Sequence, residues 1–162
     1  MVSKMNKNKI ILFFPKLTNS DEEPKLLPAS LLMVAAPLVE KGYFVEIIDQ
    51  RFDKNWKKTL LSKIKEEPLI VGFSVLTGKQ ILHALEASKI VKSNSSSSVV
   101  WGGVHPSLLP EQTLENPYVD FVVVGEGEET FLELAEELGK ENKLSKVNGL
   151  AYKENNTIYK NP

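Results

Sequence analysis

Residues 68–78, Pro68-Leu69-Ile70-Val71-Gly72-Phe73-Ser74-Val75-Leu76-Thr77-Gly78, hold an unbroken apolar run of strand length. A proline clears its start, and small hydroxyl-bearing residues and a glycine follow it. A run apolar on both faces suits a strand covered on both sides, as in a parallel sheet layered between helices. Beyond it, Ile81, Ala84, Leu85, Ser88 and Val91 form one stripe at helical spacing, so strand, loop and helix follow in succession.

The same unit recurs to either side. Ile10-Ile11-Leu12-Phe13-Phe14, stopped by Pro15, reads as a first central strand, and a long loop through Asp21-Glu22-Glu23-Pro24 leads away from it. The next helix is expected from Pro28 to Gly42, with Pro37 predicting a kink or a split inside it. Tyr43 to Ile48 makes a second strand ending at Asp49, and Asp53 is placed to cap a helix that turns Trp56, Leu60 and Ile64 to one side. After a solvated connection at 93–98, Val99 to Trp101 and Phe121 to Val124 supply the fourth and fifth strands. Phe131, Leu134, Ala135 and Leu138 mark the last helix. This alternation predicts an α/β domain, doubly wound and flavodoxin- or Rossmann-like, with a five-stranded parallel sheet of order 2-1-3-4-5. It would occupy residues 1–146. Residues 147–162, with Gly149 to Tyr152 and Thr157 to Lys160 flanking Asn155-Asn156, read as a small hairpin.

The 162 residues, 42% of them hydrophobic, can bury one core without staples. Twenty basic against 21 acidic side chains leave a net charge of −1, which argues against a nucleic-acid platform or an electrostatically held membrane patch. No apolar run approaches the roughly 20 residues of a membrane span, and Met1 to Lys9 lacks the apolar stretch of a secretory signal. A cytoplasmic home is expected. With no cysteine, the chain holds no disulfide, thiolate zinc site, cysteine nucleophile or cysteine-ligated iron–sulfur cluster.

In an open doubly wound sheet the ligand crevice lies beyond the carboxyl ends of the strands, so the loops there carry the information. The loop after the first strand has no glycine before Gly42, which excludes both a dinucleotide fingerprint and a P-loop. Ser74 and Thr77 follow the third strand, Gly102-Gly103-Val104-His105-Pro106 the fourth, and Gly125-Glu126-Gly127-Glu128 the fifth. Adjacent glycines after a buried strand allow an approach to the backbone that any Cβ would block, although a tight turn would use them equally well. Glu128 and Glu129 suit the first turn of a helix. His83 and Glu86 share an outer helix face as a solvated pair, and no acid–base pair, nucleophile triad or metal-ligand spacing emerges.

Taken together, Ser74-Val75-Leu76, a gap of 25 residues and Gly102-Gly103 resemble the SxL and GG elements of cobalamin-binding domains. More narrowly, Pro28-Ala29-Ser30-Leu31-Leu32, the segment from Gly42 to Asp49, Gly102 to Ser107, Pro110-Glu111 and Val124 to Glu128 resemble the amino-terminal domain of cobalamin-dependent radical S-adenosylmethionine enzymes. That resemblance implies a vitamin B12 site with its cobalt delivered inside the cofactor and no metal site of the protein's own. Ser74, Val75 and Leu76 would line the slot for the nucleotide tail, and Gly102 and Gly103 would let the tail slide between sheet and helix. Thr77, Val104, His105, Gly125 and Glu126 would face the corrin or its amide arms. The DxHxxG element that gives a histidine to cobalt in related domains is absent, which implies base-off cobalamin without a protein ligand below. The CxxxCxxC element is absent too, so S-adenosylmethionine and a [4Fe-4S] cluster would belong to a partner radical domain outside this chain, and the resemblance implies that the whole enzyme is of methyltransferase type. Two rivals remain at this stage: a related domain that has lost cobalamin and serves as a scaffold or substrate-recognition module, and an FMN-binding flavodoxin-like protein.

Because a reductively cleaving cluster needs cysteine thiolates, this chain incubated with S-adenosylmethionine and a low-potential reductant should form no 5′-deoxyadenosine above a protein-free control. Liquid chromatography of the nucleoside products checks this, and formation by the chain alone would refute it.

Overall fold

The computed structural model describes residues 6–20, 26–140 and 143–162, so the loop expected at Asp21 to Pro24 lies outside the described residues. In chain order the elements are β1 (Asn6–Phe14), α1 (Ala29–Glu40), β2 (Phe44–Asp49), α2 (Trp56–Ile64), β3 (Pro68–Ser74), α3 (Lys79–Asn94) and β4 (Ser98–Gly102). Two short helices follow, α4 (Val104–Leu108) and α5 (Pro110–Leu114), then β5 (Phe121–Val123), α6 (Glu128–Gly139), β6 (Leu150–Glu154) and β7 (Thr157–Lys160). The sheet runs β2-β1-β3-β4-β5-β6-β7. Its first five strands are parallel in the expected order, and the hairpin β6–β7 adds to β5 antiparallel. Asn155 and Asn156 both take positive φ, the backbone that a two-residue hairpin turn requires.

Strand alternation divides the core in two. Ile11, Phe13, Val71, Phe73, Val99 and Trp101 face α2 and α3, whereas Ile10, Leu12, Ile70 and Val100 face α1 and α6. On the α2/α3 side the buried Trp101 indole donates to the Ser88 hydroxyl at 3.0 Å, which accounts for a serine within the apolar stripe of α3.

Local expectations fail where tertiary contacts or turn chemistry intervene. Helix α1 is not split at Pro37, because Leu31 and Ala35 before it and Leu38 after it are all buried against the same face of the sheet. Asp53 does not cap α2. Asn55 occupies that position, and the Asp53 carboxylate instead accepts from the Asn55 N–H and the Thr59 hydroxyl. Helices α4 and α5 had no counterpart in the apolar pattern, being one turn each; Pro110 opens α5, where a missing N–H costs nothing.

At the amino-terminal end of the sheet the buried Lys9 ammonium lies 2.8 Å from Glu66 and 3.3 Å from Glu46, while Lys63 donates to Glu46 at 2.9 Å. Burial raises the Glu46 pKa, but the Lys63 hydrogen bond and the charges of Lys9 and Lys63 outweigh it and hold the carboxyl below its ordinary value. A carboxyl depressed on folding contributes stability above its unfolded pKa and loses it as pH falls through the folded one. Glu46→Gln should therefore be less stable than the parent at pH 7. The gap should narrow below about pH 4, the ordinary glutamate range, as read from urea midpoints across pH.

Candidate functional site

On the α1/α6 face of the sheet, two neighbouring strands lack side chains near their carboxyl ends. Gly72 of β3 pairs in register with Val100, and Ser74 pairs with Gly102 of β4. A Cβ at Gly72 would stand 2.7 Å from the Phe131 ring of α6 and 3.0 Å from Leu12, so the ring lies directly on the strand. A Cβ at Gly102 would meet nothing closer than Val123 at 3.8 Å. The result is a cleft of about 200 Å³ between sheet, α1 and α6. Leu12, Leu31, Met33, Val34 and Phe131 make its apolar walls, while Ser30, Ser74 and Glu126 bring polar atoms.

The structure gathers Ser74, Gly102, Gly103, Gly125 and Glu126 around this cleft. Ser74 Oγ lies 3.0 Å from the hydroxyl of Ser30 in the first turn of α1. Val75 turns its side chain into the opposite, α2/α3 core, and its main chain joins the loops: its N–H donates to Gly102 at 2.8 Å and its carbonyl accepts from His105 at 3.1 Å. Thr77 and His105 meet at the rim, with Thr77 Oγ1 and His105 Nδ1 3.3 Å apart. Leu76 and Val104 stand out beside them, 43% and 54% exposed, and Leu108 is 70% exposed.

Gly103 lines the cleft and also lies against the protein's own backbone. Its φ is +98°, and a Cβ there would lie 2.9 Å from the Val75 carbonyl oxygen. The close approach it permits is therefore first of all between the β3 and β4 loops of the protein itself. Gly102, in ordinary strand conformation and on the cleft face, is the glycine whose missing side chain keeps the floor open.

Several contributors were missed at the sequence level. Gly72 carried a signal, a glycine inside an otherwise apolar strand. Ser30 lay within the Pro28 to Leu32 motif of the family resemblance and Phe131 within the apolar stripe of the last helix, but neither signal placed its residue at the cleft, because that depends on how α1 and α6 pack. Gln80, almost wholly buried, accepts from the Leu76 N–H at 2.6 Å and donates to the Pro15 carbonyl at 2.8 Å, tying together the loops after β3 and β1. Ser107 accepts from the Gly125 N–H at 2.9 Å and does the same for the loops after β4 and β5. His83 and Glu86 turn to other partners, the Thr18 carbonyl and Lys57 respectively. Among the described residues no cluster of histidine and carboxylate side chains is placed to hold a metal ion, and no helix is long and apolar enough to cross a membrane.

A parallel sheet of this order, with a narrow glycine-floored cleft at its carboxyl end, defines an α/β ligand-binding module. The profile of the B12 binding domain matches residues 22–135, and the chain belongs to that family. It is 37% identical over 134 residues to an uncharacterized methyltransferase of Pyrococcus horikoshii, covering 81% of this chain and 29% of that protein. It is 26% identical over 148 residues to the anaerobic magnesium-protoporphyrin IX monomethyl ester cyclase of Synechocystis, covering 89% of this chain and 30% of the relative. Among solved structures, the cobalamin-dependent S-adenosylmethionine radical enzyme OxsB with aqua-cobalamin bound superposes with a TM-score of 0.80 at 29% identity, over 95% of this chain and 22% of that one. The radical S-adenosylmethionine methyltransferase TsrM of Kitasatospora setae, with cobalamin and a [4Fe-4S] cluster bound, shares the fold with a TM-score of 0.84 at 23% identity, over 96% of this chain and 29% of that one. The chain thus spans under a third of the length of these relatives.

The two adjacent glycines should respond differently to a methyl group. Gly103→Ala should cost about 1–3 kcal/mol, from backbone strain and the clash with Val75, whereas Gly102→Ala should stay within about 1 kcal/mol of the parent. Urea denaturation of the two variants measures both.

Proposed function

We propose that this chain binds cobalamin base-off, with no protein histidine on the lower face of the corrin, as the cofactor-binding module of a radical S-adenosylmethionine enzyme of methyltransferase type. The observation that carries the reading is the cleft itself. At about 200 Å³ it is smaller than the roughly 300–1,000 Å³ that encloses a whole ligand, so it suits a narrow arm whose bulkier remainder stays outside. Beside it the rim presents Leu76, Val104 and Leu108, exposed apolar side chains on which a flat macrocycle can rest. Cobalamin has this division between a broad corrin and a nucleotide tail.

In this reading Gly102 leaves room for the tail along the sheet, Phe131, seated on Gly72, and Leu31 flank it, and the Ser74 hydroxyl hydrogen-bonds its base. Gly103 and Val75 hold the two rim loops at a fixed separation. Thr77, Val104, His105, Gly125 and Glu126 are assigned to the corrin and its amide arms. The Thr77 contact engages Nδ1 of His105 and leaves the other ring nitrogen for the amide arms, while the reading of an unligated lower face rests on the missing DxHxxG element. Bound cobalamin would supply a cobalt centre able to carry a methyl group, and the protein's part is position and surroundings. Pro162, whose carbonyl accepts from the Gly149 N–H beside Val124, lies at the crevice end of the sheet, so a radical domain continuing from it would stand over the rim.

Hydroxocobalamin should stay with the protein through gel filtration. After reduction, the cob(II)alamin electron paramagnetic resonance spectrum should show no nitrogen superhyperfine splitting. A splitting that disappears in His105→Ala would overturn the assignment of the lower face.

A further inference from the structure

We propose that Ser30 is a positioning residue that sets the cofactor specificity of the cleft. With Ser74 it forms a hydroxyl pair that selects cobamides whose lower base presents a ring nitrogen as acceptor. The inference rests on the cobalamin reading and extends it to the part of the cofactor that differs among cobamides.

The argument is a count of protons. Ser30 projects from the first turn of α1 and Ser74 from the end of β3, with their oxygens 3.0 Å apart at the cleft wall. Each hydroxyl carries one hydrogen and two lone pairs. The bond between them uses one hydrogen and leaves one for whatever enters. The other described side chains around the cleft are apolar, apart from Glu126 and Glu128, which as carboxylates only accept. The remaining hydroxyl proton is therefore the only side-chain donor that the described lining offers. When Ser30 donates to Ser74, it polarises that hydroxyl and turns its proton away from α1, toward the cleft. A benzimidazole nitrogen accepts this proton. A phenolic base without a ring nitrogen leaves the donor enclosed and unmatched, which costs more than an exposed hydroxyl would.

Ser30 lies at the mouth of the cleft on an exposed turn, so its replacement disturbs little else. The test compares the dissociation constants of hydroxocobalamin, p-cresolylcobamide and cobinamide, which has no lower base, by ultrafiltration with the purified chain and with Ser30→Ala, Ser30→Thr, Ser74→Ala and the double alanine variant. The parent should prefer cobalamin to p-cresolylcobamide by about tenfold, the upper range of one net hydrogen bond. Ser30→Ala should reduce that preference to about threefold or less, and Ser30→Thr should restore it. The double variant should discriminate no worse than Ser74→Ala alone, because Ser30 acts through Ser74. An unchanged preference in Ser30→Ala, or additive losses in the double variant, would overturn the proposal. A folded chain that retains neither cobalamin nor cobinamide would instead refute the cofactor reading, and this inference with it.

Discussion

The absence of side chains at Gly72 and Gly102, on one face of two adjacent strands, is the constraint around which the carboxyl end of this domain is arranged. Core packing elsewhere follows ordinary alternation, with buried β-branched and aromatic residues on both sides of the sheet. At these two positions the sheet is bare. Phe131 comes down onto Gly72 within a distance that a Cβ would forbid, and this contact sets how closely α6 can approach β3. At Gly102 no side chain takes the place, so an open slot remains where interior packing would otherwise be dense.

A slot of this kind keeps its shape only if the loops at its mouth are held, and the protein holds them through the backbone. Val75 exchanges hydrogen bonds with both Gly102 and His105, Gln80 bridges Pro15 and Leu76, and Ser107 secures Gly125. Each link joins loops that follow different strands. Four parallel strands therefore end in a connected rim, and the positive φ of Gly103 is what lets the β4 loop lie against Val75. The exposed apolar side chains of that rim fit a surface that a large cofactor or a neighbouring domain covers.

The ion pairs of the described residues lie outside the cleft lining. Lys9, Glu46, Lys63 and Glu66 form a partly buried network at the amino-terminal end of the strands, far along the sheet from the cleft. Asp49 and Arg51, at the end of β2, pair with each other, and Arg51 also donates to the Leu26 carbonyl while its guanidinium lies 4.1 Å from the centre of the Phe14 ring. Asp49 thus supports the segment before α1, consistent with a sequence that lacks the glycine fingerprint of a ribose-binding carboxylate.

What the sequence by itself determined is the order of elements, the parallel sheet and the region of the site. Apolar runs of strand length, helix-period stripes and glycines after strands report local geometry, and local geometry is written in neighbouring residues. The hairpin turn at Asn155-Asn156 was legible for the same reason. Only the tertiary structure decided which glycine does what. Gly102 and Gly103 are adjacent and chemically identical, yet one faces the cleft floor and the other faces Val75, a distinction created by strand register and by a loop 28 residues earlier in the chain. The pairing of Ser30 with Ser74 and the placement of Phe131 on Gly72 likewise arise from the packing of α1 and α6 across the sheet. Those contacts join residues 44 and 59 positions apart, so no short window of sequence contains them.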